Sequence, residues 1–210
     1  MAATRLPIFP LAGAILFPGL QLPLHVFEPR YRTLVGSALA RDRRIAMIQP
    51  HAPTENAPLY AIGCVGKIGE VEALDDGRYN IVLEGEFRYR VLGESPPAPY
   101  RIADVEELTS VPFPDPEQAA RASAELRSLF AGIVTAMEMP PLPAEELDPE
   151  RLASEVALRL RYDPPELQEL LETDSIPLRF AALSTRMREW RGRIDFLAPF
   201  RASEVDPSTN

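Results

Sequence analysis

Few side chains in this chain have the type and spacing to do chemistry. Cys64 is the only cysteine, and His25 and His51 are the only histidines. A thiol becomes a nucleophile when a neighbouring base or cation favours the thiolate. No histidine stands at a fixed spacing from Cys64, and a buried structural thiol is the plainer reading. Neither histidine has a metal-ligating neighbour at helical or strand spacing, and one cysteine cannot complete a zinc site of familiar pattern. Ser37, Ser123 and Ser154 fall in expected helices, outside any Gly-x-Ser-x-Gly elbow. Glu70 and Glu72 share one face of a strand, where two carboxylates could shift each other's pKa. Glu106 and Glu107 form a second acidic pair. Solubilising charge on edge strands explains both pairs more simply. Gly63, Gly66, Lys67 and Gly69 invite comparison with a phosphate loop, but such a loop needs Gly five residues before the Gly-Lys pair and Ser or Thr after it. Ala61 and Ile68 stand there instead, and bulges in a coiled strand account for the glycines. The sequence therefore offers no catalytic residue, no metal ligand and no cofactor-binding residue, and no cofactor is expected.

Two arginine groups remain. Arg41, Arg43 and Arg44 gather where a helix should end, an arrangement that complements the helix dipole and only secondarily suggests an anion or nucleic-acid site. Arg88 and Arg90 alternate with Phe87, Tyr89 and Val91. Rings interleaved with arginines can bind bases, yet alternation of a core face and a solvent face gives the same pattern, with Glu86, Arg88 and Arg90 facing solvent. The formal charge of −9, from 22 basic and 31 acidic residues, opposes phosphate backbones.

These residues need a scaffold, and 210 residues suffice for one large domain or two small ones. The composition, 46% hydrophobic and 25% charged, is that of an ordinary globular protein. No apolar run approaches the roughly 20 residues of a membrane span, since residues 11–24 are broken by Gly13, Pro18, Gly19 and Pro23. The N-terminus does not read as a signal peptide, with Arg5 as its only early positive charge and Pro7 and Pro10 interrupting its apolar part. A lone cysteine excludes an internal disulfide and suits the cytoplasm.

Residues 6–9 and 22–27 look like short strands, limited towards sheet edges by their prolines. Phe17-Pro18-Gly19 between them fits a turn with Pro second and Gly supplying a positive φ. Pro29 opens a helix to about Arg41, with Glu28 beside its positive end. Tyr31, Leu34, Val35, Ala38 and Leu39 form its core stripe. Strands are expected over 44–49, 60–74, 78–92 and 100–108, with Asp75-Asp76-Gly77 as a hairpin turn and Gly85 as a bend. After the proline hinge at 111–116 strands give way to helices over 117–137, 148–161, 163–171 and 176–197. The first carries Leu126, Leu129, Phe130, Ile133, Val134 and Met137 on one face. The last carries Phe180, Leu183, Met187, Trp190, Ile194 and Leu197 as a heptad seam, more in keeping with an intrachain bundle than with a dimer. The expected fold is α+β: a β-rich pseudo-barrel with one helix over 1–112, a helical bundle over 113–200, and a polar tail over 201–210.

The opening LPIFPLAGAILFPGLQLPLHVFEPRYRTLV (residues 6–35) resembles the start of the N-terminal domain of Lon ATP-dependent proteases, a domain found also in cereblon and in free-standing bacterial proteins. The resemblance continues through VLEGEFRYRV (82–91) and LQELLE (167–172), and so covers nearly the whole chain. It implies a six-stranded pseudo-barrel of PUA-like type followed by a helical bundle. It also implies that Phe9, Pro10, Pro18, Gly19, Phe27, Glu28, Arg30, Tyr31, Gly85 and Arg88 are signature positions with structural roles. In full-length Lon this domain helps to hold unfolded or degron-bearing substrates for an ATPase and a Ser-Lys protease. No motif of either is found here. The implied function is a non-catalytic module that binds such polypeptides, as an adaptor to a protease or chaperone, with Phe17, Leu20 and Leu22 as the candidate exposed apolar patch. An RNA-binding PUA-like module, and a small-molecule or hydrolytic site at Cys64 or Glu70/Glu72, are the alternatives.

Overall fold

The computed structural model describes residues 4–54, 57–95, 99–143, 146–160 and 162–201, with side chains to 196. Among the described residues six strands and five helices follow the order β1 Thr4–Pro10, β2 Gln21–Val26, α1 Pro29–Leu39, β3 Arg44–Ile48, β4 Ile62–Ala73, β5 Tyr79–Ser95, β6 Ile102–Leu108, α2 Pro116–Met137, α3 Pro149–Arg159, α4 Pro164–Glu172 and α5 Ile176–Arg201. The chain is α+β, with strands leading and helices following.

All six strands form one sheet in the order β2-β5-β4-β3-β1-β6, and β6 also returns to pair with β5. Five strands therefore close a ring, while β2 lies outside it. Closure depends on the length of β5. Its first half pairs with β2 and with the far end of β4, and its second half pairs with the near end of β4 and with β6. The two halves meet at Gly85. An added Cβ there would lie 2.0 Å from the carbonyl oxygen of Phe17, so only glycine lets the 17–20 turn reach the strand. That turn is type II, closed by Leu20 N–H donating to Phe17 O at 3.2 Å, with Gly19 at φ 76°. Gly19 N–H donates to Gly85 O and Gly85 N–H to Leu20 O, both at 2.8 Å. The register shifts within β4, at Val65/Gly66 and Ile68/Val71, fall where the glycine spacing predicts bulges.

The ring is filled by Leu6, Ile8, Ala46, Ile48, Val65, Tyr89, Ala103 and Val105. Alternation along each strand supplies these residues from one face. Helix α1 buries Tyr31, Leu34, Val35 and Ala38, and Leu39, also expected in the stripe, is half-buried. Tyr31 stacks on Phe9 at 4.1 Å between ring centres and donates to Pro10 O at 3.3 Å, which ties α1 to β1. Helix α1 ends at Leu39, so the three arginines lie beyond it and none sits in its last turn. Arg43 takes a left-handed φ of 64°.

The chain divides into two compact units. Met1–Val111 joins Tyr162–Asp174 in the first unit, and Pro112–Arg161 joins Ser175–Asn210 in the second. Helix α4 thus packs with the strands, although it follows two bundle helices in sequence. Its apolar residues Leu167, Leu170 and Leu171 are buried. Gln168 Nε2 donates to the Ile62 carbonyl on β4 at 2.9 Å, and Val111 N–H donates to Asp174 O at 2.9 Å.

This return also covers a residue that strand alternation assigns to solvent. Arg88, expected to face solvent, is 1% exposed. Alternation along β5 holds, because Tyr89 points into the ring and Arg88 points out, but α4 covers the outer face at this point. Arg88 Nη1 donates to Leu171 O at 3.0 Å and to Asp174 Oδ1 at 2.9 Å. Both are charge-assisted bonds that offset part of the cost of desolvating a guanidinium, whose Nε and Nη2 are buried with no partner among the described residues.

In the second unit α2, α3 and α5 pack together. Asp115 and Asp148 cap α2 and α3 by accepting from Gln118 N–H at 2.7 Å and Arg151 N–H at 3.0 Å, each ahead of a proline at the helix start. Leu126, Phe130 and Ile133 are buried on α2, Leu129 and Val134 are half-buried, and Met137 is exposed at the helix end. On α5 the expected seam is buried at Phe180, Leu183 and Met187 and half-buried at Trp190 and Ile194. It packs against α2 and α3 of the same chain. The side chain of Leu197 and the polar tail lie outside the described residues.

Candidate functional site

The groups with intrinsic reactivity sit where they cannot react together. Cys64 is buried in β4 and its thiol points back to the Val65 carbonyl at 3.5 Å. Tyr89 is fully buried and donates to Met47 O at 3.2 Å, and burial pushes its phenol well above the ordinary tyrosine value. His25 is exposed on β2, with Nδ1 2.7 Å from Asn80 Oδ1 and Nε2 3.2 Å from Arg78 Nη1. His51 stacks on Tyr60 at 4.0 Å. Glu72 accepts from Asn80 Nδ2 at 2.7 Å, and Glu106 pairs with Arg90 at 3.5 Å. Among the described residues no three of His, Cys, Asp and Glu are grouped to hold a metal ion.

The expected binding patch also changes. Phe17 is 1% exposed and Leu20 5%, because the turn that carries them folds down onto Gly85. Leu22 is half-buried on β2. Of the signature positions, Phe9, Pro10, Pro18, Gly19, Tyr31, Gly85 and Arg88 are placed by the contacts above. Glu28 and Arg30 bracket the start of α1 and pair at 2.9 Å, and Arg30 lies 4.6 Å above the Tyr31 ring. Phe27 is the exception. It is 60% exposed at the end of β2 and stacks near His25 at 6.1 Å.

Two features of the first unit remain as surfaces for a ligand. One is the arm formed by β2, residues 79–84 of β5 and residues 68–73 of β4. It continues the sheet beyond the ring. The outer edge of β2 pairs with no other strand among the described residues, and β3 pairs with β4 only as far as Lys67. A shallow depression of about 430 Å³ runs across this arm between Pro23, His25, Val82, Asn80, Glu70 and Glu72. Strand edges of this kind accept added strands, and Pro23, Glu70, Glu72 and the bulge limit indiscriminate pairing.

The other is a cavity of about 460 Å³ between the end of α1 and strands β1 and β6. Leu6, Pro7, Ala38 and Ile102 give it apolar walls, Tyr100 a ring, and Arg5, Arg41 and Arg44 a cationic rim with Ser37 and Asp42. The arginine cluster expected at the helix end is divided in use. Arg43 donates to Gly69 O at 3.1 Å. Arg44 is held by Glu86 at 2.6 Å, and this hydrogen bond raises its pKa further. Arg41 stays exposed at the cavity. Arg5 and Tyr100 carry no sequence signal for this role, since only the fold brings β1 and the entry to β6 against the end of α1.

Residues 5–189 match the family model of the ATP-dependent protease La (LON) substrate-binding domain. The chain belongs to this family. It is 27% identical over 183 residues to a Lon protease of Anaeromyxobacter dehalogenans, covering 83% of this chain and 22% of the relative. A Lon protease 2 of Sorangium cellulosum is 33% identical over 153 residues, covering 68% and 18%. The chain thus spans less than a quarter of the length of these relatives. The N-terminal domain of a Mycobacterium avium complex Lon protease superposes with a TM-score of 0.69 at 19% identity, over 88% of this chain and 98% of that one. A Lon N-terminal domain protein from Xanthomonas campestris gives 0.64 at 21%, over 86% and 96%. At these identities the superpositions speak for the fold. No helix among the described residues is long and apolar enough to cross a membrane.

Proposed function

We propose that this chain binds unfolded or degron-bearing polypeptides without acting on them chemically, and presents them in the cytoplasm to a protease or chaperone. The observation that carries this reading is the open arm of a domain whose family is defined by substrate binding. An extended segment laid along the outer edge of β2 would satisfy its unpaired backbone groups. Leu22 and Leu24, both half-buried, and the exposed ring of Phe27 offer apolar contact for alternate side chains. The buried positions of Cys64 and Tyr89, and the pairing of Glu72 and Glu106, favour binding over catalysis.

Nucleic-acid binding has no comparable support. Arg88 is enclosed, Arg90 is paired with Glu106, and Arg43 and Arg44 are engaged within the protein. Purified protein added to a chemically denatured client should slow the rise in light scattering and cross-link to it. Unchanged aggregation at several-fold molar excess would overturn the proposal.

A further inference from the structure

We infer that the cavity between α1, β1 and β6 receives the C-terminal carboxylate and last apolar side chain of a polypeptide, an inference that rests on the polypeptide-binding reading above. Its volume of about 460 Å³ falls within the roughly 300–1,000 Å³ of small-ligand pockets, ample for a chain end. Leu6 and Ala38 are buried beneath it and Pro7 and Ile102 are half-buried at its sides. An apolar group entering here removes apolar surface from water on both sides of the contact.

The rim supplies the charge. Arg44 is answered by Glu86, and Asp42 lies 4.0 Å from the same guanidinium. Arg5 donates to Ser95 Oγ at 2.7 Å, and Asp104 stands opposite it in the β1–β6 register. Arg41 lines the cavity with no carboxylate bound to it among the described residues. The carbonyl end of α1 beside it disfavours an anion, so the guanidinium must supply the attraction. A planar guanidinium takes a carboxylate through two parallel N–H bonds. An inorganic anion would use the rim and leave the apolar walls wet, and an uncharged side chain would leave Arg41 unanswered. A chain terminus satisfies both. Such a site would let the domain choose among extended segments by their ends, which the edge of β2 cannot do.

The test is fluorescence anisotropy with a short, N-terminally labelled peptide ending in Leu-Leu, as the free acid and as the C-terminal amide. The acid should bind at least about tenfold tighter than the amide, the strength of one charge-assisted pair. A free-acid peptide ending in Ser-Ser should bind several-fold more weakly than the Leu-Leu peptide. Arg41→Gln and Arg41→Glu should remove most of the preference for the acid. Arg41 is exposed, so both should leave the melting temperature unchanged. Arg121→Glu on α2, also highly exposed, controls for overall charge and should leave binding within twofold. Equal binding of acid and amide, retention of the preference in Arg41→Gln, or full displacement of the peptide by inorganic phosphate or RNA at comparable concentration would each overturn the inference. If the denatured client still binds in those cases, polypeptide binding stands and only the terminus pocket fails. Loss of client binding as well would sink both.

Discussion

The two halves of β5 belong to one strand and have opposite fates. Beyond Gly85 the strand is paired on both sides, by β4 and β6, with Tyr89 inside the ring and Arg88 covered by α4. Before Gly85 it carries β2 on one side and the tip of β4 on the other, and neither of these has a further strand beyond it among the described residues. The first region spends its hydrogen bonds internally and fixes the fold. The second holds unpaired backbone at the margin of the same sheet, where another chain can use it. A binding edge can therefore be rigid, because it is one end of a strand whose other end is locked.

This contrast predicts a graded set of effects. The largest should come at the junction. Gly85→Ala places a methyl group against the Phe17 carbonyl, and overpacking on backbone should cost about 3 kcal/mol, read as a lower midpoint in urea unfolding. Release of the 17–20 turn should loosen both halves together. If the loss stays below a few tenths of a kcal/mol, Gly85 is not the joint between them.

Next comes the clamp over the locked half. Asp174→Ala leaves the Arg88 guanidinium buried with only the Leu171 carbonyl. Breaking a buried pair costs roughly 3–5 kcal/mol, but Asp174 is itself half-exposed, so about 2 kcal/mol is expected after screening. Arg88→Met should cost less, because it removes the buried charge along with its partner's task. The reverse order of the two variants would mean that packing, not charge, holds α4.

These two sites mark how far the sequence could be read. The Pro18-Gly19 turn, the break at Gly85 and the α1 stripe are legible because each is a local rule, set by φ, a missing Cβ or helical period. The burial of Arg88 is not. Alternation assigns it to the outer face, and only the return of α4 from more than 70 residues away decides that this face is covered. The arginines at 41, 43 and 44 show the same limit. Adjacent residues of one type serve a carbonyl, a carboxylate and a cavity, and the partners come from β4, β5 and β1. The turn at Phe17 and Leu20 has the composition of an exposed patch, yet its docking onto Gly85 buries both.

A smaller effect should come from inside the ring. Tyr89→Phe deletes the hydroxyl that donates to Met47 O and should cost about 1 kcal/mol. Burial raises the folded-state pKa of this phenol above its unfolded value, so the folded protein holds the proton longer. The stability this contributes is present below about pH 10 and is lost as the pH rises through the folded-state value. Alkaline unfolding should therefore set in above about pH 10 in the parent and be less steep in Tyr89→Phe. Identical alkaline profiles would place the sensitive group elsewhere.

The smallest effect on stability should come from the open half. Phe27→Ser removes an exposed ring and should change stability by no more than about 0.5 kcal/mol. It should still weaken capture of a denatured client, which aggregation kinetics would show. A variant that is destabilised but binds normally would reverse the assignment of roles to the two halves.

Hydrogen exchange on the protein with and without an excess of denatured client bears most directly on polypeptide capture by the open arm. Protection should rise along β2 at the alternate backbone amides that face its outer edge and not β5, with the locked half of β5 and helix α2 unchanged. Protection confined to α2, α3 and α5, or none at all while the client is demonstrably bound, would contradict it.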